Sequence, residues 1–234
     1  MRLTDDATSV DQQHVAFANV SLALLSVSNS VLYVGVSHGA DPRLPSAEPA
    51  QGESLDQVAH SQLSSLVGSE RGYMEQLYTF SFDEPRRSEI VVSYLALTPG
   101  APSLCRGWEW RPIDDVETEL PRTDQVVLDY ALVRLRAKIG YTTIAFHLMP
   151  QSFSLSDLQQ TYETILGRAL DPRNFRRRMV SSRLLQSENR LRREGSHRPA
   201  ALFRFAGNHD PASYLTPGAA PVRASDQPDE RGST

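Results

Sequence analysis

Between Leu44 and Ser69 the chain reads LPSAEPAQGESLDQVAHSQLSSLVGS. These are the parts of a phosphate-handling site: a proline-rich loop, a turn at Gly52 and an amphipathic helix. Such a site works by holding divalent metals against a diphosphate with carboxylates, so that the metals activate water and neutralise developing charge. Glu53 supplies one carboxylate at the head of the helix, but further along the chain presents Ser61, Gln62, Ser65 and Leu66. Hydroxyl, amide and aliphatic groups cannot stand in for hard anionic ligands, and Glu53 alone cannot hold such a metal tightly. The expectation is a retained scaffold with no metal-dependent hydrolysis.

A second cluster offers different chemistry. In DPRNFRRRMVSS, from Asp171 to Ser182, helical spacing of about 100° per residue puts Phe175 and Met179 on one face. Arg173, Asn174, Arg177 and Ser181 fall on the opposite side, with Arg176 and Arg178 flanking it. Arginine can bond guanine and asparagine adenine through paired hydrogen bonds, each contributing roughly 1–3 kcal/mol of discrimination. The flanking arginines are placed for phosphates. Downstream, Arg190, Arg192, Arg193, His197 and Arg198 surround a Gly-containing tip, where they would reach the DNA backbone or minor groove. His197 is either a contact there or a bystander.

The elements that must position these groups follow from pattern. Val20 to Gly39 reads as two strands around Ser28-Asn29-Ser30. The loop from Ala40 to Gly52 holds three prolines and is expected to be irregular. Glu53 to Val67 is a helix burying Leu55, Val58, Ala59, Leu63 and Leu66/Val67. Tyr73–Phe82 and Ser88–Pro99 are strands around DEPRRS, and a short segment, WEWRPIDDV, follows. Thr123 or Asp124 can then cap a helix carrying Val127, Ala131 and Leu135 on one face. Ser154 and Asp157 form a capping box for the next helix, which ends at Gly167. Asp171-Pro172 opens the basic helix. Two short helices joined by a tight turn, then a basic hairpin, make a winged helix-turn-helix.

Bulk properties agree. The chain has 234 residues and a net charge of −4, but that charge is unevenly spread. Residues 1–150 carry 11 Lys+Arg against 19 Asp+Glu, a net of −8, and residues 151–205 carry 11 Arg against 5 acids, a net of +6. A basic segment joined to an acidic domain points to nucleic acid. No apolar run approaches the roughly 18 residues of a membrane span. MRLTDDATSVDQQ has no apolar core of the kind a signal peptide needs. The single Cys105 supports neither an internal disulfide nor a cysteine metal cluster. The protein is expected to be cytoplasmic and associated with the nucleoid.

The opening stretch resembles a Nudix box. Ala47 stands at its first glycine, Glu53 at its first glutamate, Leu63 at an aliphatic position and Gly68 at the late glycine. Ser61 replaces the arginine, Gln62 the first helix glutamate, and Ser65 and Leu66 the paired glutamates. A decayed Nudix domain followed by a winged helix resembles the Nudix-related transcriptional regulators, the NrtR family. The resemblance runs over roughly residues 15–205 and is carried by EQLYTFSF, VVSYLAL, WRPIDDV, AFHLMPQSFSLSDLQQTYETILGRALDPRNFRRRMV and RPAALFRF. It implies a dimeric regulator, usually a repressor of NAD biosynthesis or salvage genes. Such a regulator binds a palindromic operator and is released by ADP-ribose held in the Nudix pocket. Where members often carry a Phe-Asp-His-like step before the linker helix, this chain has Arg122, Thr123 and Asp124. Its LPSAEP loop also lacks a Gly-Gly pair that lets backbone approach phosphates.

The expected fold is therefore α+β: a Nudix-like, non-catalytic sensing domain with its linker helix over residues 15–140, then a winged helix-turn-helix DNA-binding domain over 141–205. Residues 206–234, rich in Pro, Gly, Ala and Ser, are expected to form a disordered tail. No metal or cofactor is expected, and the protein is not expected to be an enzyme. Its partners would be double-stranded DNA and a second copy of itself, with no membrane. For the effector, Glu53, Arg86 and Arg87 are the candidate contacts, the two arginines being otherwise ordinary solvated turn residues. Lys138, the only lysine, is where any lysine acetylation would act, near the junction of the two domains. Two alternatives stand beside this reading: a DNA-binding regulator controlled by another ligand, partner or modification, and a Nudix hydrolase with atypical metal ligands.

Overall fold

The computed structural model describes residues 15–68, 72–84, 87–193 and 199–207. The polar N-terminal segment and the expected tail beyond Gly207 lie outside the described residues, as do Arg86, His197 and Arg198.

Strand β1 (Val15–Ser28) is the spine of the larger sheet. Val20, Leu22 and Leu24 enter one apolar cluster, while Ala23, Leu25 and Val27 enter the other on the opposite face. A strand covered on both faces needs a near-continuous apolar run, and VSLALLSV is one. The chain reverses at Asn29 and Ser30, with φ of 47° and 63°. Two left-handed residues match the twist of a tight hairpin. Strand β2 (Val31–Ser37) follows, and β4 (Tyr73–Glu84), β5 (Arg87–Leu97) and β6 (Trp108–Pro112) complete the order β4-β5-β1-β2-β6. The β1–β5 pair is parallel and the others antiparallel, so the sheet is mixed.

The three-proline loop is less irregular than expected. Ser46 and Ala47 form a short strand, β3, paired with β1 at Ser21 and Val20. The prolines at positions 45 and 49 lack N–H donors, but the residues between them keep theirs. The Leu22 amide also donates to the Pro45 carbonyl at 2.8 Å.

Helix α1 (Leu55–Val67) starts behind Ser54, which forms a capping box with Gln57. It therefore starts after Glu53 instead of including it. Gly68, at φ 66°, ends it in the left-handed conformation glycine favours. Val58, Ala59, Leu63 and Leu66 pack onto Val20, Leu22 and Leu24 of the sheet. After α2 (Ile113–Val116), α3 (Arg122–Ile139) covers the other face with Val127, Leu128, Ala131, Leu132 and Leu135. The expected cap at Thr123 or Asp124 is not formed. The helix starts at Arg122, behind Pro121, with no side-chain cap, and Asp124 is buried against the proline-rich loop, where two donors meet its carboxylate.

A buried 3-10 turn at Ile144–Leu148 leads into α4 (Leu155–Leu166), capped by Ser154 and Asp157 and ended at Gly167 with φ 65°. Helix α5 (Pro172–Ser181) starts where the Asp171 carboxylate accepts from the Asn174 amide at 2.7 Å. Strands β7 (Phe153–Ser154), β8 (Leu185–Arg192) and β9 (Ala200–Phe205) form a three-stranded sheet in the order β7-β9-β8. The apolar cluster under α3 continues through Ile144, Phe146 and Leu148 to Leu158, Tyr162, Ile165, Phe175 and Met179. Both halves of the molecule thus share one core, with α3 between them.

Candidate functional site

Helix α5 is sorted by burial as its sequence requires. Phe175 and Met179 are buried, Phe175 meeting the Tyr162 ring edge-on at 5.2 Å. Arg173, Asn174, Arg176, Arg177 and Ser181 are exposed. The Arg177 guanidinium donates to the Asn174 side-chain oxygen at 2.9 Å, so two groups able to read bases hold one another in place. Arg178 is half-buried, with its guanidinium over the rings of Tyr162 at 5.8 Å and Phe175 at 5.6 Å. Full burial pushes the Tyr162 hydroxyl up to about 12, against the opposing charge of Arg178. Val180 was missed by the charge pattern. It is 56% exposed, one turn beyond Arg176 and Arg177, and its apolar side chain could meet a thymine methyl.

The hairpin β8–β9 stands beside this helix as the wing. Arg190 and Arg193 are exposed, and so is Leu191 between them. Arg192 is tied inward: one of its nitrogens donates to both Asp157 oxygens, at 2.9 and 2.8 Å. Burial alone would raise the Asp157 pKa, but the Arg192 and Ser154 hydrogen bonds outweigh it and hold the group below the usual carboxylate range.

The stretch that resembles a Nudix box lines a cleft of about 290 Å³. Its walls include Pro45–Glu48 and Glu53 from the loop, Ser61, Gln62 and Ser65 from α1, and Cys105 and Trp108. Among the described residues these walls include two carboxylates, Glu48 and Glu53, and neither Lys nor Arg. Glu53 is spent on local structure, accepting from the Ala50 amide at 3.2 Å. Gln62 donates to the Val20 carbonyl at 3.1 Å. Asp56 accepts from the Tyr94 hydroxyl at 2.6 Å; burial and that carboxylate raise the tyrosine pKa. Among the described residues no group of three His, Cys, Asp or Glu side chains could hold a metal ion. Arg87 begins β5 in the β4–β5 hairpin.

Two ties bind α3 to its surroundings. At its start, Asp124 accepts from the Arg43 side chain at 2.9 Å and the Leu44 amide at 3.0 Å. At its end, the Lys138 ammonium donates to Glu75 and, at 3.1 Å, to the Tyr73 hydroxyl. Neither tie has a periodic signature, and both link residues more than 60 positions apart.

Residues 145–205 match the family model described as the NrtR DNA-binding winged helix domain. The chain is 32% identical over 164 residues to the ADPR responsive transcriptional repressor NtrR of Acinetobacter baylyi, a match covering 67% of this chain and 65% of that protein. The match thus spans just under two thirds of that relative's length. Among solved structures, that of Shewanella oneidensis NrtR complexed with a 27mer DNA is similar at a TM-score of 0.75. Identity there is 24%, over 85% of this chain and 97% of the other. A MutT/nudix family protein from Enterococcus faecalis is similar at a TM-score of 0.66 and 17% identity, over 83% and 90% of the two chains. The fold is therefore a Nudix-like α+β domain followed by a winged helix.

Proposed function

We propose that this chain, whose residues 145–205 match the NrtR DNA-binding winged helix domain, is a transcriptional repressor of NAD biosynthesis or salvage genes. It binds a palindromic operator as a homodimer and is released by ADP-ribose held in the degenerate cleft. The observation that carries this reading is the exposed face of α5, where Arg173, Asn174, Arg176 and Arg177 point away from a buried Phe175–Met179 face inside the matched domain. A two-fold dimer presents two such helices to two half-sites. The name of the Acinetobacter relative, an ADPR responsive repressor, supports the effector.

The proposed division keeps sensing in residues 15–140 and DNA binding in 141–205, with the matched winged helix inside the second. Arg173, Asn174 and Arg177 read bases. Arg176, Arg178, Arg190, Arg192 and Arg193, with His197 and Arg198 beyond the described residues, contact backbone or minor groove. No helix among the described residues is long and apolar enough to cross a membrane. The loss of helix carboxylates favours sensing over cleavage, since a regulator that hydrolysed its effector would erase the signal.

One observation favours a second reading, control by another ligand or partner: among the described residues the cleft walls carry the carboxylates Glu48 and Glu53 and no cation to meet a diphosphate. A single experiment separates the two. The protein selects its own operator from random DNA, and fluorescence anisotropy follows the complex as ADP-ribose is added. Release at millimolar ADP-ribose or below supports the first reading. Failure to select any sequence overturns the repressor assignment, and tight binding indifferent to ADP-ribose leaves the second reading in its place.

A further inference from the structure

The cleft lies on the α1 side of the larger sheet and the reading head on the cluster under α3, and one buried carboxylate stands between the cleft wall and α3. Asp124 is 6% exposed. Its Oδ2 accepts from the Arg43 side chain and the Leu44 backbone, and its Oδ1 from the Thr123 hydroxyl at 3.4 Å. The position suits an anion, since the first turn of a helix favours negative charge. Leu44 is itself buried at 1% exposure, and the next four residues, Pro45 to Glu48, form one wall of the cleft. A ligand that shifts this wall pulls directly on the donors that satisfy Asp124.

A buried carboxylate cannot cheaply lose those donors, because leaving it unpaired exacts its full desolvation penalty. The start of α3 must therefore follow the loop. Helix α3 has 18 residues, a rod of about 27 Å at 1.5 Å per residue. At its far end the Arg136 side chain donates to the Ile165 carbonyl at 3.1 Å, in the last turn of α4. Helix α4 carries α5 through the Tyr162–Phe175 contact.

We propose that Asp124 is the coupling residue of this regulator: a positioning residue that passes occupancy of the cleft through α3 to the reading head, without touching the ligand. This rests on reading the cleft as the effector site. Other bonds hold the loop in shape without it, namely Leu22 to Pro45, Ser37 to Arg43 and the β3–β1 pairing. Removing the charge of Asp124 should thus spare the cleft while breaking its connection to α3.

The test measures three quantities on the full chain for wild type, Asp124→Asn and Arg43→Gln. They are operator affinity by anisotropy, ADP-ribose affinity by calorimetry, and the change in operator affinity at saturating ADP-ribose. Arg43→Gln alters a half-exposed side chain and guards against a folding failure of the buried variant. Both variants are expected to keep operator and ADP-ribose affinities within about threefold, while the release caused by ADP-ribose falls at least tenfold. Variants released as fully as wild type overturn the proposal alone. Loss of ADP-ribose binding in both also overturns it, making Asp124 part of the ligand site. A wild-type chain that ignores ADP-ribose overturns the reading of the cleft, and the proposal with it.

Discussion

Arg192 on the wing and Asp157 in the first turn of α4 are joined through one guanidinium nitrogen that spans both carboxylate oxygens. The same carboxylate accepts from the Ser154 amide at 2.8 Å, so the cap of α4 and the seat of the wing are one structure. An arginine expected from sequence to face the DNA backbone therefore also fixes the hairpin that carries Arg190 and Arg193. Arg192→Ala is expected to weaken binding to operator and random DNA together and to flatten its salt dependence. It should also lower the melting temperature. A variant with unchanged stability would show that the bridge contributes nothing to the fold.

The same bridge sets a pH dependence. Asp157 is held below the usual carboxylate range in the folded chain, so its contribution is present above its unfolded pKa of about 3.9. That contribution is lost as pH falls through the lower folded value. Asp157→Asn should melt earlier than wild type near neutrality, and the gap should close in acid below about pH 4. Melting curves across pH 3–7 check this, and a gap independent of pH would assign the loss to capping geometry instead.

Arg177 and Asn174 hold each other on the exposed face of α5. Arg177→Ala is expected to weaken operator binding by roughly tenfold or more, one good base contact being worth about 1–3 kcal/mol, and to affect random DNA much less. Parallel anisotropy titrations measure both. Equal losses would move Arg177 from base reading to phosphate contact.

Val180 gives a narrower test. Replacing each operator thymine by deoxyuridine removes only a methyl group. Wild type should weaken at one position per half-site, and Val180→Ala should be indifferent there. If no thymine position distinguishes the two proteins, Val180 is simply an exposed valine.

Lys138 and Glu75 form a mostly buried pair, their side chains 17% and 18% exposed. Removing the charge, as acetylation or Lys138→Gln would, leaves Glu75 without its cation. A loss of roughly 2 kcal/mol is expected, below the roughly 3–5 kcal/mol of a fully buried pair. Chemical denaturation measures it, with Lys138→Arg expected to stay near wild type. A neutral Lys138→Gln would leave the lysine free for a regulatory role without structural cost.

With magnesium or manganese and ADP-ribose, the purified protein is expected to release no AMP above background. Metal-dependent release would replace the regulatory reading of the cleft with an enzymatic one.

Much of this architecture is local, and local features are legible in a linear chain. The capping box of Ser154 and Asp157, the Asp171-Pro172 start of α5 and the glycine stops at Gly68 and Gly167 each depend on residues within one turn. The faces of α5 follow from helical period alone, and the missing carboxylates of α1 from residue identity. Charge pattern, by contrast, could not single out Val180, although helical period places it one turn beyond Arg176 and Arg177, where it is exposed.

What the chain order could not decide are the long-range partners of polar groups. Asp124 looked like a cap and is instead a buried anchor for a loop some 80 residues earlier. Arg192 looked like a phosphate contact and is also bound to Asp157, 35 residues away. Lys138 stood out only as the lone lysine near the domain junction, and it lies against Glu75. Secondary structure answers to neighbours along the chain, through periodicity and capping. The destination of a buried charge answers to whichever opposite charge or free amide the packed core brings within about 3 Å, and only the tertiary structure decides that.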